Sequence, residues 1–245
     1  MGRGLYGAAA LIVAGVVACG RTAERAPAAA ADEETMAKKL EAMVDRDVAA
    51  RGVTDPATLA AMRAVPRWEF VPAELRARAF EDNPLPIGEG QTISQPYIVA
   101  YMTEALRLAP TDRVLEVGTG SGYQAAVLAC LAAEVYTVEI VPALGERAAA
   151  TLSRLGYDNV RVRVGDGYQG WPEAAPFDAI IVTCAADHVP EPLFAQLRDG
   201  GRLVIPISNG YPQLLKRYTK HGDTFETEDL QPVLFVPMTG RVEEE

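Results

Sequence analysis

Three glycines and two acids carry the first chemical reading of this chain. Gly118, Gly120 and Gly122 stand at alternate positions directly after the β-branched run 113–117. A turn that tight needs residues tolerant of positive φ, and a ligand resting on the backbone needs residues without a Cβ. The spacing G-x-G-x-G departs from the G-x-G-x-x-G of dinucleotide sites. Glu116 lies inside the strand end, beside the glycines. Its charge would oppose a pyrophosphate and favour an ammonium or sulfonium group. A second acid, Glu139, ends the run 135–138, where a carboxylate can accept from both ribose hydroxyls. Glycines alone also fit a tight turn with no ligand. With both acids beside them, the pattern points to S-adenosyl-L-methionine rather than NAD.

Those residues must be held by a strand, a turn and a helix. Residues 113–117 supply the strand, and 123–131 (Y-Q-A-A-V-L-A-C-L) are too densely apolar for a surface helix. This is the first unit of a nucleotide-binding α/β fold. The alternation continues with a helix from Pro142 to about 155 and a strand at 160–164. Residues 177–183 form a near-continuous apolar run, the pattern of a parallel strand buried on both faces. A helix at 192–197 and a strand at 202–206 follow. Residues 214–219 and 233–237 are predicted as two antiparallel strands, with 220–229 a polar loop between them.

Upstream, Met36, Leu40, Met43, Val44 and Val48 recur at three- and four-residue spacing, which predicts a helix over 35–51 ended by Gly52. Asp55 and Pro56 predict the cap and first turn of a helix over 56–64. Residues 91–97 are too rich in polar and turn-forming types for a strand, and Pro96 should open a helix running to 108. Ser94 then sits near a helix N-terminus, where free amides favour an anion. Beside a methyl donor, that would make a carboxylate pocket. Spacing alone favours a capping serine with no part in catalysis. Asp166, flanked by Gly165 and Gly167, is placed to meet an adenine amino group; the alternative is a plain Asp-Gly turn.

The composition narrows the partners. A net charge of −10 argues against nucleic acid. Three scattered cysteines form neither a disulfide framework nor a metal-binding spacing, and two distant histidines make a metal site improbable. Cys130 and Cys184 are expected to be reduced, buried and apolar in behaviour. His188, in the loop 184–190, is expected to be a solvated loop histidine, the alternatives being a base or a substrate contact.

The N-terminus has its own signature. Residues 1–18 carry one arginine, an apolar stretch at 8–18 and then Cys19-Gly20. That resembles a lipoprotein-type signal peptide, with Cys19 as the lipidated residue. Gly20 is not an acidic retention signal, so an outer-membrane, periplasm-facing site is expected. An ordinary secretory signal, or a cytoplasmic protein with a misassigned start, are the alternatives. Residues 19–34 are alanine-rich and expected to be a flexible tether, 35–110 an N-terminal helical and substrate-binding segment, and 111–240 the catalytic domain. Residues 243–245 are expected to be a solvated acidic tail.

Five motifs in order then carry a family resemblance: V-P-R-x-x-F-V-P at 65–72, L-P-I-G-x-G-Q-T-I-S-Q-P at 85–96, L-E-V-G-T-G-S-G-Y-Q at 115–124, G-D-G-Y-Q-G-W at 165–171 and P-F-D-A-I-I-V-T at 176–183. The chain resembles the protein-L-isoaspartate O-methyltransferases over residues 36–240. The resemblance implies a Rossmann-like class I S-adenosylmethionine-dependent methyltransferase fold. That fold has a mostly parallel seven-stranded sheet, antiparallel C-terminal strands and an N-terminal helical extension. It implies transfer of a methyl group to the α-carboxylate of L-isoaspartyl residues in damaged proteins and peptides, by a monomer. The ester then collapses to a succinimide, which starts repair. It places Ser94 in the active site. It places Gln91, Thr92, Ile93, Glu116, Gly118, Gly120, Gly122, Glu139, Asp166, Gly167 and Thr239 around the donor. Asp187 and His188 stand where many relatives have a small-residue, proline-rich loop. Two other functions stay open: methylation of a different carboxylate, and a catalytically idle envelope protein that keeps the fold for binding. The methyl donor is made in the cytosol, which sets export against the donor reading.

Overall fold

The computed structural model describes residues 27–240, so the signal segment, Cys19 and the acidic tail lie outside the described residues. The first helix, α1 (Pro27–Met43), begins eight residues before the expected Thr35 and replaces the second half of the expected tether. Alanine is the strongest helix former, and Asp32 to Thr35 are exposed, so propensity rather than burial carries this end. The helical path then loosens to π winding over Val44–Val48, tightens to 3-10 over Ala49–Arg51 and stops at Gly52 (φ 102°). Leu40, Met43, Val44 and Val48 form its buried stripe. In α2 (Pro56–Ala64), Asp55 caps as its type predicts, accepting from the Thr58 amide at 2.7 Å and the Thr58 hydroxyl at 2.6 Å.

The segment before the glycine turn holds a surprise. Gln91–Ile93 is a strand (β2) paired antiparallel with Leu85–Gly88 (β1), where the polar composition predicted none. The two-residue turn Glu89–Gly90 has both residues at positive φ, the geometry that tight hairpins favour. Leu85, Ile87 and Ile93 turn inward while Pro86 and Thr92 face out, so polar residues occupy the wet face of a short ribbon. Helix α3 (Pro96–Leu106) follows, opened by Pro96 as expected.

The main sheet has the order β5-β4-β3-β6-β7-β8-β9. Strands β3 (Arg113–Val117), β4 (Glu134–Glu139), β5 (Val160–Val164), β6 (Phe177–Val182) and β7 (Leu197–Ile207) are parallel. Strands β8 (Gln213–His221) and β9 (Thr224–Val233) run antiparallel. Helices α4 (Tyr123–Ala129), α5 (Pro142–Leu155) and α6 (Glu191–Gln196) connect them. Alternation along β3 sends Val114 into one core layer and Leu115 and Val117 into the other. From β3 the chain builds outward to β4 and β5, then returns to place β6 on the other side. The resulting switch point opens at the C-terminal ends of β3, β4 and β6, where α/β folds bind ligands.

The expected loop at 220–229 is instead mostly β9, joined to β8 by a turn at Gly222–Asp223, and the expected strand over 233–237 ends at Val233. Strand β9 is an edge strand, and edges carry charge. Its acids pair across the hairpin, Lys216 with Asp229 at 2.7 Å and Arg217 with Glu228, while Phe225 stacks on Phe194. A charge-rich sequence therefore hid a regular strand.

Candidate active site

The switch point opens into a cleft lined by the glycine turn, Glu139 and the segment 91–94. The glycine turn is its floor. Gly118 has φ 98°, and an added Cβ would lie 2.4 Å from Thr183 Oγ1. That hydroxyl donates to the carbonyls of Gly118 (2.6 Å) and Val117 (3.0 Å), which ties the turn to the end of β6. The amides of Gly118 and Thr119 both donate to the Val138 carbonyl, which ties it to β4. Only glycine satisfies both the backbone angle and the close approach here.

Glu139 stands in the wall, at the C-terminal end of β4. One carboxylate oxygen accepts from the Gly120 amide at 2.7 Å and the other from Val141 at 3.0 Å. Each oxygen keeps a further acceptor site, as a ribose diol requires. Gln91, Thr92, Ile93 and Ser94, from β2 and the turn after it, also line the cleft. Gly167, Cys184 and Thr239 line it as well. The structure thus brings Ser94, Gln91, Thr92, Ile93, Gly118, Gly120, Glu139, Gly167 and Thr239 to one cleft.

Three predicted site residues do not line it. Glu116 is fully buried beneath the glycine turn and does not reach the wall. Its Oε2 accepts from the Thr137 hydroxyl at 2.5 Å, and that hydroxyl lies 2.6 Å from the Thr119 hydroxyl. Its Oε1 has no partner. Burial, reinforced by nearby Glu139, pushes its carboxyl up to about 8, against the opposing pull of the Thr137 bond. Glu116 is therefore largely neutral at pH 7 and supplies no full counter-charge to a sulfonium. Gly122 packs against α5 instead, where a Cβ would lie 3.2 Å from Leu152 and 3.3 Å from Ala148. Asp166 turns to its own 3-10 turn, accepting from the Tyr168 amide at 3.0 Å, and sits against Gly240.

A fourth expectation also changes. The α3 N-terminus is already occupied by an internal anion: the Tyr97 amide donates to Asp82 at 3.0 Å. Asp82 also accepts from Gln95 at 2.7 Å and pairs with Arg51 at 2.6 Å. The helix end therefore offers no free anion hole at Tyr97, and Ser94 contributes through its own position in the wall.

Sequence reasoning missed Thr119, Thr183 and Asp82, because only the fold brings the two threonines to their partners at the glycine turn and Asp82 to the start of α3. Cys184 lines the cleft as a free thiol, pushed up to about 12 by burial, so it is not a nucleophilic thiolate. Cys130 likewise forms no disulfide among the described residues. Asp187 and His188 pair with each other at 2.7 Å at the surface, and neither lines the cleft.

A family model described as Protein-L-isoaspartate(D-aspartate) O-methyltransferase matches residues 38–243. The protein-L-isoaspartate O-methyltransferase of Opitutus terrae is 59% identical over 211 residues, covering 86% of this chain and 91% of its own. That of Picosynechococcus is 56% identical over 198 residues, covering 81% and 89%. A solved protein-L-isoaspartate O-methyltransferase superposes with a TM-score of 0.75 at 32% identity, covering 84% of this chain and 67% of that one. A Plasmodium falciparum β-aspartate methyltransferase, solved with S-adenosyl-L-homocysteine, gives 0.72 at 28% identity, covering 83% and 98%.

Proposed function

The chain belongs to the protein-L-isoaspartate O-methyltransferase family, and from that premise we propose how its cleft divides the work. The activity is transfer of a methyl group from S-adenosyl-L-methionine to an isoaspartyl carboxylate in protein. The observation that carries the division of work is the presence of an open glycine floor, Glu139 and Ser94 in one cleft. The cleft suits the donor: Gly118 and Gly120 leave the backbone bare, and Glu139 is fixed by two amides with acceptor capacity to spare.

S-adenosyl-L-methionine, when bound, supplies a methyl group on a positively charged sulfur. Gly118 and Gly120 would hold it against the backbone, Glu139 would accept from the ribose, and Gly167 and Thr239 would border the base. The acceptor is the α-carboxylate of an isoaspartyl residue, which is ionised at neutral pH. No side chain has to remove a proton from it. Ser94 donates a hydrogen bond to this carboxylate and turns it toward the donor. Holding donor and acceptor together in line, the work of the cleft as a whole, can be worth ~7–11 kcal/mol, of which the Ser94 hydrogen bond is a small part. The substrate is an isoaspartyl-containing protein or peptide. The protein acts as a monomer, which sedimentation at micromolar concentration tests directly.

The paired-peptide assay tests the substrate. Radiolabelled methyl should pass to an isoaspartyl peptide and not to its aspartyl twin. Equal labelling of both would favour a general carboxylate methyltransferase, and no labelling with no donor binding would favour the idle envelope protein.

The location is a separate part of the reading. Cys19 is the lipid attachment point and holds the protein at the envelope, facing the periplasm. The support is the apolar stretch at 8–18 followed by Cys19-Gly20. Cys19→Ser should move the protein from the membrane to the soluble fraction of cells. Membrane association that survives the substitution would remove the anchor from the account.

A further inference from the structure

Arg67 is the deepest charge in the N-terminal segment. It has no exposed surface, and it sits one layer behind the cleft wall. One guanidinium nitrogen donates to the carbonyl of Ala79 at 2.8 Å and, more weakly, to that of Glu81 at 3.5 Å. The other donates to Asn83 at 3.0 Å and to Ser94 at 3.1 Å. Its Nε has no partner. Its face looks toward the ring of Tyr123 at 5.9 Å, and Tyr123, like Ser94, lines the cleft. No ion pair among the described residues includes Arg67, and burial lowers its affinity for its proton.

A buried, unpaired cation is costly unless something repays it. Four carbonyls repay part as dipoles, yet none neutralises the charge. The cleft itself explains what the remainder serves. Its wall carries one charged side chain, Glu139, and that is an anion. Among the described residues, no lysine, arginine or histidine lines it. The α3 amide at Tyr97 is spent on Asp82. A carboxylate entering beside Ser94 therefore meets no cation among the described wall residues, and Arg67 is bonded to that wall through the Ser94 carbonyl. In a low-dielectric interior such a charge is felt across a residue's width.

We propose that Arg67 is a positioning residue for the acceptor: it fixes the Ser94 turn through the Ser94 carbonyl and gives that side of the cleft the positive potential that draws in a carboxylate. This rests on the methyltransferase reading above, with an anionic acceptor. Arginine suits both tasks, because one planar fork reaches carbonyls from two separate chain segments, 79–83 and Ser94, while keeping its charge. Lysine would keep the charge and lose most of the clamp. Methionine would lose both.

The test uses the full chain in three forms: native, Arg67→Lys and Arg67→Met. Four quantities are read: donor Kd by calorimetry, KM and kcat for an isoaspartyl peptide, and melting temperature. Arg67→Met should raise the peptide KM at least tenfold while donor Kd stays within twofold. Arg67→Lys should recover most of that KM and keep a reduced kcat, since the charge returns without the clamp. A purely structural arginine would lower the melting temperature and shift donor Kd and peptide KM together, or leave both unchanged in the folded variants. Either result overturns the proposal. Arg67→Lys alone decides it where Arg67→Met fails to fold: a peptide KM that follows donor Kd, or a kcat equal to the native one, counts against it. A native enzyme that methylates no isoaspartyl peptide would instead remove the underlying function, so the two failures are distinguishable.

Discussion

The Glu139 carboxylate accepts from the Gly120 amide at 2.7 Å, so the acid proposed to receive the ribose also holds the glycine turn in place. Loop and ligand share one side chain. Glu139→Ala should cost donor binding roughly 1.5–3 kcal/mol, the worth of a hydrogen bond to a charged group. That is about one to two orders of magnitude in Kd by calorimetry. Glu139→Gln keeps one acceptor oxygen and should fall between. An unchanged Kd in Glu139→Ala would put the ribose elsewhere.

Ser94 lines the same cleft as that pair. Ser94→Ala should lower kcat for an isoaspartyl peptide by roughly tenfold or more, from loss of a hydrogen bond to the acceptor. Donor affinity should persist. Steady-state kinetics beside donor calorimetry separates the two effects. A variant that no longer binds donor would show that Ser94 serves the donor rather than the acceptor.

Gly118 and Thr183 should be energetically coupled. Gly118→Ala forces an alanine to φ 98° and sets its Cβ 2.4 Å from Thr183 Oγ1. The angle alone costs on the order of 1–3 kcal/mol, and the clash adds to it. Thr183→Ala removes the clashing oxygen and leaves the angle. The double variant should therefore be less destabilised than the sum of the singles in urea melts. Strict additivity would show that the backbone angle is the whole penalty.

Glu116 gives stability a pH dependence of known sign. Its folded carboxyl holds a proton up to about pH 8, against about 4.5 in the unfolded chain. Between those values the native state binds more protons than the unfolded state. Stability from this group is full below 4.5 and is lost as pH rises toward 8, at up to about 1.4 kcal/mol per unit. Glu116→Gln removes the titration, so its melting temperature should fall less between pH 5 and pH 8 than that of the native protein. Parallel curves would mean that Glu116 ionises normally in the fold.

Which of these features the sequence discloses follows from the range of the interactions. The glycine turn, Glu139 and the buried strands are local patterns, so spacing and composition reveal them. Glu116 is also plain in the sequence, but its depth is not. Whether an acid at a strand end faces the cleft or lies under it depends on the register of β3 against β4, which sets Glu116 opposite Thr137. Asp82 is invisible for the same reason: it reaches α3 from fifteen residues upstream. Strands β2 and β9 were hidden by their polar residues, because a ribbon with one wet face and an edge with paired charges both depart from the apolar pattern. Gly122 shows the converse. Its place in the motif suggests a ligand, while its neighbours Leu152 and Ala148 show helix packing.

The central claim is that donor and acceptor meet between Glu139 and Ser94. A crystal structure with S-adenosyl-L-homocysteine tests it most directly. The account predicts the ribose hydroxyls on Glu139, the backbone of Gly118 and Gly120 against the ligand, and the sulfur facing the Ser94 side of the cleft. A ligand seated away from Glu139, or with its sulfur turned from Ser94, would contradict it.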